Sequence, residues 1–157
     1  MLEVGAVVPD VSVPDQHGVV APLLTRLGPQ GGVIYFYPRD CTPGCTVEAN
    51  DFQALQTDFA TLGMTVIGIS KDSVASHGRF CLKEGLSFTL LSDEGGELCN
   101  GFGVWQEKTN YGKTSMGIVR TTFVVGADGT VKKVYRSVKT AGHGMKVLND
   151  LRTDAVA

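Results

Sequence analysis

Cys41 and Cys45 stand four positions apart in Tyr37-Pro38-Arg39-Asp40-Cys41-Thr42-Pro43-Gly44-Cys45, and they are the side chains here with the most chemistry to offer. Thiols so placed serve as a metal clamp, a dithiol or a nucleophile, and the residues around them choose among these. Thr42 offers a hydroxyl to cap a helix, Pro43 suits the first helical position because it has no N–H to leave unpaired, and Gly44 lets another group approach the backbone. Cys45 then falls in the first helical turn, where unpaired N–H groups and the positive end of the helix dipole favour a thiolate and make the sulfur a nucleophile near neutral pH. Cys41 precedes the cap and sits next to Asp40, whose charge disfavours a neighbouring thiolate. Cys45 is the better nucleophile of the two. An inert packing role is its competing use, against which the Thr-Pro-Gly cap speaks.

The other uses fit less well. Cys41, Cys45, His77 and Cys81 would make up a four-ligand zinc set, but there is no C-x2-C knuckle and a Pro-initiated helix occupies the first pair. A thioredoxin-type dithiol needs C-x-x-C, and this is C-x3-C. No Gly-rich phosphate loop, G-x-S-x-G elbow or H-E-x-x-H occurs. His17, His77 and His143 read as surface or cap residues, and Cys99, beside Leu98 and Phe102, as packing.

The elements that must position Cys45 are legible on both sides of it. Val33 to Tyr37 is a continuous apolar run of strand length, as in a strand covered on both faces, and Met64 to Ser70 is a second. Between them Val47, Phe52, Leu55, Phe59 and Leu62 give an apolar helical face from about Thr46 to Thr61. Strand, helix, strand makes a crossover with the strands parallel. Before it, VSVPDQHGVV reads as a short hairpin. After it come a helix over Ser73 to Glu84 with Asp72 as N-cap and Gly85 as its end, a strand at Phe88 to Leu91, and a short helix near Gly96 to Phe102. Thr121 to Val125 and Thr130 to Val138 form a hairpin about Asp128-Gly129, and Met145, Leu148 and Leu151 mark a closing helix. The pattern predicts an α/β, thioredoxin-like fold: a mixed central sheet flanked by helices, with an N-terminal hairpin, all in one domain over residues 1–157.

Composition narrows the partners. With 14 Lys and Arg against 16 Asp and Glu, the net charge of −2 and the lack of a basic cluster argue against nucleic acid or an anionic membrane. The N-terminal MLEVGAVVPD has no charged n-region or apolar h-region, and no stretch approaches the roughly 20 apolar residues of a membrane span. A cytoplasmic protein with reduced thiols is expected.

On Pro38-x-x-x-Thr42-x-x-Cys45 within FYPRDCTPGCTVEA, and on YGKTSMGIVRTTFVV downstream, the chain resembles the peroxiredoxins, specifically the bacterioferritin comigratory protein or peroxiredoxin Q group, from Gly5-x-x-x-Pro9 to the last helix. The resemblance implies a monomeric peroxidase that reduces hydrogen peroxide and organic hydroperoxides with no metal, haem or flavin cofactor. It makes Cys45 the peroxidatic cysteine, which becomes a sulfenic acid. Thr42 would hydrogen-bond thiolate and peroxide, Pro38 would shield the pocket, and Arg120 would stabilise the anionic sulfur and leaving oxygen, with Glu48, one turn past Cys45, holding the guanidinium. Many members carry a resolving cysteine five positions after the first, where this chain has Asn50. Others resolve from the next helix, where Cys81 lies, so the resemblance favours a Cys45–Cys81 disulfide reduced by thioredoxin. Cys41 remains a competing resolver, and a one-cysteine enzyme or a redox sensor remain the alternatives. Bridging two helices requires Cα atoms within about 7 Å, so local unwinding, eased by Gly44, Gly78 and Gly85, is expected on oxidation.

Overall fold

A computed structural model describes residues 1–156. The N-terminal hairpin pairs β1 (Ser12–Pro14) with β2 (Val20–Pro22) antiparallel. The chain continues through β3 (Gly31–Phe36), α1 (Pro43–Ala54), α2 (Gln56–Thr61), β4 (Met64–Ser70), α3 (Val74–Glu84), β5 (Thr89–Ser92) and α4 (Glu97–Phe102). It ends with β6 (Trp105–Asn110), β7 (Lys113–Ile118), β8 (Thr121–Gly126), β9 (Val131–Tyr135) and α5 (His143–Val156).

The central sheet is mixed, in the order β5-β4-β3-β8-β9. β4 and β5 pair parallel, while β8 pairs antiparallel with both β3 and β9. β3 and β4 run side by side in the same direction. Gln30, just before β3, donates its N–H to the Gly63 carbonyl just before β4 at 2.9 Å, and Tyr37, just past β3, donates to Ile69 at 3.1 Å. The expected parallel crossover is therefore present.

Alternation along β3 sorts its side chains into two apolar layers. Ile34 and Phe36 join Ile67, Ile69, Leu98, Phe102 and Phe123 on one face. Val33, Tyr35 and Tyr37 join Cys45, Phe52, Phe59, Phe80 and Val147 on the other. The second layer seats α1 on the sheet, with Phe52 stacked on Tyr35 at a centroid distance of 4.7 Å. Gly68 on β4 makes room for that tyrosine, since a Cβ there would lie 2.9 Å from the Tyr35 ring.

Several expectations need correction. The helix expected over residues 46–61 is two helices broken at Leu55 (φ −104°), whose N–H bonds Phe52 three residues back and so tightens the last turn of α1. Val47 is exposed, and the inner face of α1 is Cys45, Glu48, Ala49 and Phe52. The N-cap of α3 is Ser73, whose hydroxyl accepts from the Ser76 N–H at 3.1 Å. Asp72 instead accepts from the Asp40 N–H and the Ser70 hydroxyl. Met145 is 44% exposed, and Val147 and Leu148 bury the closing helix. The hairpin of β6 and β7 has no counterpart in the sequence reading, because most of its side chains face water and leave no apolar alternation.

Phe52 is the anchor of α1. Phe52→Ala should cost about 3–5 kcal/mol of unfolding free energy, read by denaturant unfolding. A loss under 1 kcal/mol would show that α1 is held mainly by other contacts.

Candidate active site

Cys45 occupies the third position of α1, after Pro43 in the first and Gly44 in the second, as the cap chemistry requires. Its side chain is buried at 1% exposure, in the layer that also packs Phe52 and Tyr37. Arg120, just before β8, reaches the sulfur from the side of the sheet. Its Nη2 donates to Cys45 Sγ at 3.3 Å, and its Nη1 donates to Glu48 Oε1 at 2.7 Å. One guanidinium thus spans a thiol and a buried carboxylate one helical turn apart, a use of the planar fork that an ammonium would not match. A Cβ at Gly44 would stand 3.4 Å from Arg120 Nη2 and 3.7 Å from Thr140 Cγ2, ordinary packing distances, so the guanidinium lies directly against the first turn of the helix without requiring glycine there.

The electrostatics follow from burial and pairing. Burial works against the Arg120 charge, but Glu48 and then the Cys45 sulfur outweigh it and raise the guanidinium above its ordinary value. Burial pushes the Glu48 carboxyl from 4.5 up to about 7 against the pull of Arg120, and its Oε2 has no hydrogen-bond partner. Lys108, on β6, is a second cation near the sulfur. Burial and then Arg120 hold it below its ordinary value, while Cys45 pulls the other way. Nothing in the sequence pointed to Lys108, because its strand carries no core signal.

The remaining site candidates are placed as follows. Thr42 takes the extended N-cap conformation without a side-chain cap bond, so the expected hydroxyl cap is absent. Its hydroxyl donates to the Arg39 carbonyl at 2.9 Å instead. Pro38 is exposed in the bend after β3. Cys41 is exposed with φ at +62°, a left-handed conformation unusual outside glycine. Cys81, on α3, is half-buried against the apolar layer that contains Cys45, and both thiols are free. Burial, and secondarily the Asp40 charge, push the Cys81 thiol up to about 11. Cys99 is fully buried, as expected of a packing residue.

Two histidines depart from expectation. His77 is wholly buried, with Nδ1 2.7 Å from Asp40 Oδ2 and Nε2 2.9 Å from the Leu91 carbonyl oxygen. His143, also buried, has Nε2 2.8 Å from the Thr122 hydroxyl, and burial, with Lys146 and Arg120 nearby, lowers it to about 4. His17 is exposed, as expected. Among the described residues the grouping with metal-ligating geometry is Asp40, Asp72 and His77. It contains none of the cysteines proposed as a zinc set, and its atoms already bond one another.

A buried cysteine at the start of a helix, flanked by an arginine on a thioredoxin-like sheet, defines a thiol peroxidase of the peroxiredoxin class. The chain belongs to the AhpC/TSA family, whose model matches residues 4–134. Peroxiredoxin Bcp of Escherichia coli (strain K12) is 43% identical over 154 residues, 98% of each chain. Two solved structures of Xanthomonas campestris peroxiredoxin Q, mutants carrying serine in place of cysteine at its own positions 48 and 84, match at TM-scores of 0.89 and 0.88. Each is 42% identical, and they cover 99% and 98% of this chain and 98% of theirs. The chain is a peroxiredoxin enzyme that acts on peroxides with a thiol reductant. Among the described residues no helix is long and apolar enough to cross a membrane.

Glu48 carries a pH signature. Its folded-state value lies above the unfolded one, so between pH 4.5 and 7 the folded chain holds the proton more tightly, and stability falls as pH rises through that window. Glu48→Gln should remove this, with the stability gap to wild type shifting in favour of the variant by on the order of 2 kcal/mol from pH 4.5 to 7. Urea unfolding at several pH values measures it, and a gap that does not change with pH would refute the buried-carboxylate account.

Proposed function

We propose that the whole chain works as one thioredoxin-like domain carrying a two-cysteine peroxidase centred on Cys45. The thiolate of Cys45 attacks the distal oxygen of hydrogen peroxide or a small organic hydroperoxide. An S–O bond forms as the O–O bond breaks, and the departing hydroxide or alkoxide takes up a proton and leaves as water or alcohol. The Cys45 sulfur, oxidised by two electrons, becomes a sulfenic acid. The single observation that carries this reading is Arg120 Nη2 at 3.3 Å from Cys45 Sγ, because a fixed guanidinium there stabilises both the attacking sulfur and the oxygen that departs with negative charge. Thr42 keeps oxygen lone pairs free to accept from the incoming hydroperoxide while it donates to Arg39. Pro38 supplies an apolar rim against water.

Cys81 then resolves the sulfenic acid. Its sulfur attacks that of Cys45, the S–S bond forms, and the S–O bond breaks to release water, so the two cysteines together have given up two electrons. A dithiol protein of the thioredoxin type returns them. The spacing supports this pairing: Cys45 and Cys81 are 36 residues apart, as are positions 48 and 84 in the Xanthomonas campestris mutants. The Cys81 thiol, pushed up to about 11, stays protonated at neutral pH until the segments unwind. The resemblance to the bacterioferritin comigratory protein group supports a monomer.

Mass-spectrometric peptide mapping of the reduced protein after one equivalent of hydrogen peroxide tests the proposal. A Cys45–Cys81 linked peptide is expected. A Cys41–Cys45 link would move the resolver to Cys41, and an unmodified Cys45 would end the reading. Arg120→Lys should lower kcat/KM for hydrogen peroxide about 100-fold, measured by steady-state peroxide consumption with thioredoxin and its reductase. Under the same assay Cys81→Ser should lose thioredoxin-dependent turnover; full turnover would mark a one-cysteine enzyme.

A further inference from the structure

Outside the sulfur chemistry, the densest buried polar cluster sits where the two cysteine-bearing segments begin. The Asp40 carboxylate takes the Tyr37 hydroxyl at 2.6 Å on Oδ1, and the Ser76 hydroxyl at 2.8 Å and His77 Nδ1 at 2.7 Å on Oδ2. The Asp40 N–H donates to Asp72 Oδ2 at 2.9 Å. His77 Nε2 faces the Leu91 carbonyl, so each ring nitrogen has an acceptor, and the imidazole and the carboxylate side chains are 0% and 2% exposed. Burial pushes the Asp40 carboxyl up, but His77, Tyr37 and Ser76 outweigh it and hold it below its ordinary value. A carboxylate so enclosed and so fully bonded costs much to expose.

Next to each member of this pair, on the side of its cysteine, stands a residue with little packed against it. Directly after Asp40 comes Cys41 at φ +62°, and directly after His77 comes Gly78, whose missing Cβ would meet only the Gln16 carbonyl, at 3.8 Å. Further out, the side-chain ties between the two segments are exposed, such as Asn50 Nδ2 donating to Glu84 Oε1 at 3.0 Å. The polar bonds at the roots are enclosed, while the side-chain hydrogen bonds between the segments farther out are exposed.

We infer that Asp40 and His77 are positioning residues for disulfide closure, a clamp that stays shut while the segments beyond it unwind and that holds their roots together so that Cys81 meets the Cys45 sulfenic acid. This rests on the Cys45–Cys81 reading above. Five residues lead from Asp40 to Cys45 and four from His77 to Cys81. Extended, these reach about 17 Å and 13 Å from a common anchor. Through the clamp the closing loop is nine residues; without it the nearest shared anchor is the Tyr37 N–H on the Ile69 carbonyl, a loop of 20 residues, which the three-halves power law makes about threefold harder to close. The step served is the one already balanced: Cys81 sulfur onto Cys45 sulfur, with water leaving. Its competitor is a second peroxide reacting with the sulfenic acid to give sulfinic acid and water, an oxidation that thiols do not reverse.

The test separates the two oxidation steps by stopped-flow fluorescence of Trp105 and follows sulfinic acid by intact mass. His77→Phe, which removes the donors and keeps a ring, should slow disulfide closure about threefold and raise the sulfinic fraction per turnover in proportion, while oxidation of Cys45 by the first peroxide stays within about twofold. His77→Asn, which restores a donor towards Asp40, should recover much of the closure rate, and Ser76→Ala, a milder loss on the same carboxylate, should shift it in the same direction without threatening the fold. The N–H signals of the His77 ring in NMR should persist in both the reduced and the disulfide-bonded protein. Closure that is unchanged or faster in these variants, equal slowing of both steps, or loss of the His77 N–H signals on oxidation would each overturn the clamp. Absence of a Cys45–Cys81 peptide in the wild type would overturn the disulfide reading itself, an outcome distinct from a wild-type link that is indifferent to His77.

Discussion

The Arg120 guanidinium, shared between Cys45 Sγ and Glu48 Oε1, is the interaction on which the rest of the structure turns. A carboxylate at 1% side-chain exposure is tolerable only against a cation held in good geometry, and a cation so placed has its second nitrogen to offer to the sulfur. Three separate pieces of chain meet that demand. The start of α1 supplies the thiol and, one turn on, the carboxylate. Gly44, just before the thiol, lies against the guanidinium, where a Cβ would stand at ordinary contact distance. The end of the β6–β7 hairpin delivers Arg120 at the head of β8, which is locked antiparallel to β3 from Gly31 to Phe36.

The same sheet explains why a reactive sulfur sits in an apolar layer. β3 and the residue after it put Val33, Tyr35 and Tyr37 on the side of α1, in one apolar layer with Cys45, Phe52 and Phe80. In such surroundings a fixed positive charge acts with little screening, so one arginine does what several would be needed for in water. The second thiol borders the same layer without sharing the arginine, and burial, with the Asp40 charge nearby, pushes it up. Asp40 therefore has two effects: it suppresses Cys81 at rest, and it joins the loop that carries Cys45 to the helix that carries Cys81.

Legibility in the sequence tracked how local each determinant is. Pro43, Gly44 and Cys45 lie in consecutive positions of one helical turn, and their roles follow from backbone geometry alone. Glu48 was readable as a partner for Arg120 because one helical turn separates it from Cys45. The Thr42 hydroxyl was misread because a hydroxyl in the loop has two nearby uses, and the Arg39 carbonyl won over the helix N–H groups. His77 and His143, read as surface or cap residues, are buried because whether a histidine is enclosed depends on partners from distant elements, here Asp40, Leu91 and Thr122. Val47 fitted the apolar period yet faces water, since the helix turns its Cys45–Glu48–Phe52 face to the sheet.

The sequence by itself determined the order of the core strands and helices, the β6–β7 hairpin and the break at Leu55 apart, and with it the nucleophile and its helix N-terminus, because apolar period, turn residues and cap chemistry act over a few neighbouring residues. Tertiary structure alone decided that a glutamate would be buried, that Lys108 would stand near the sulfur, and that Asp40 and His77 would join two segments. A buried charge or hydrogen bond is favourable only when its partner arrives from another part of the chain, and no local pattern records where that partner will be.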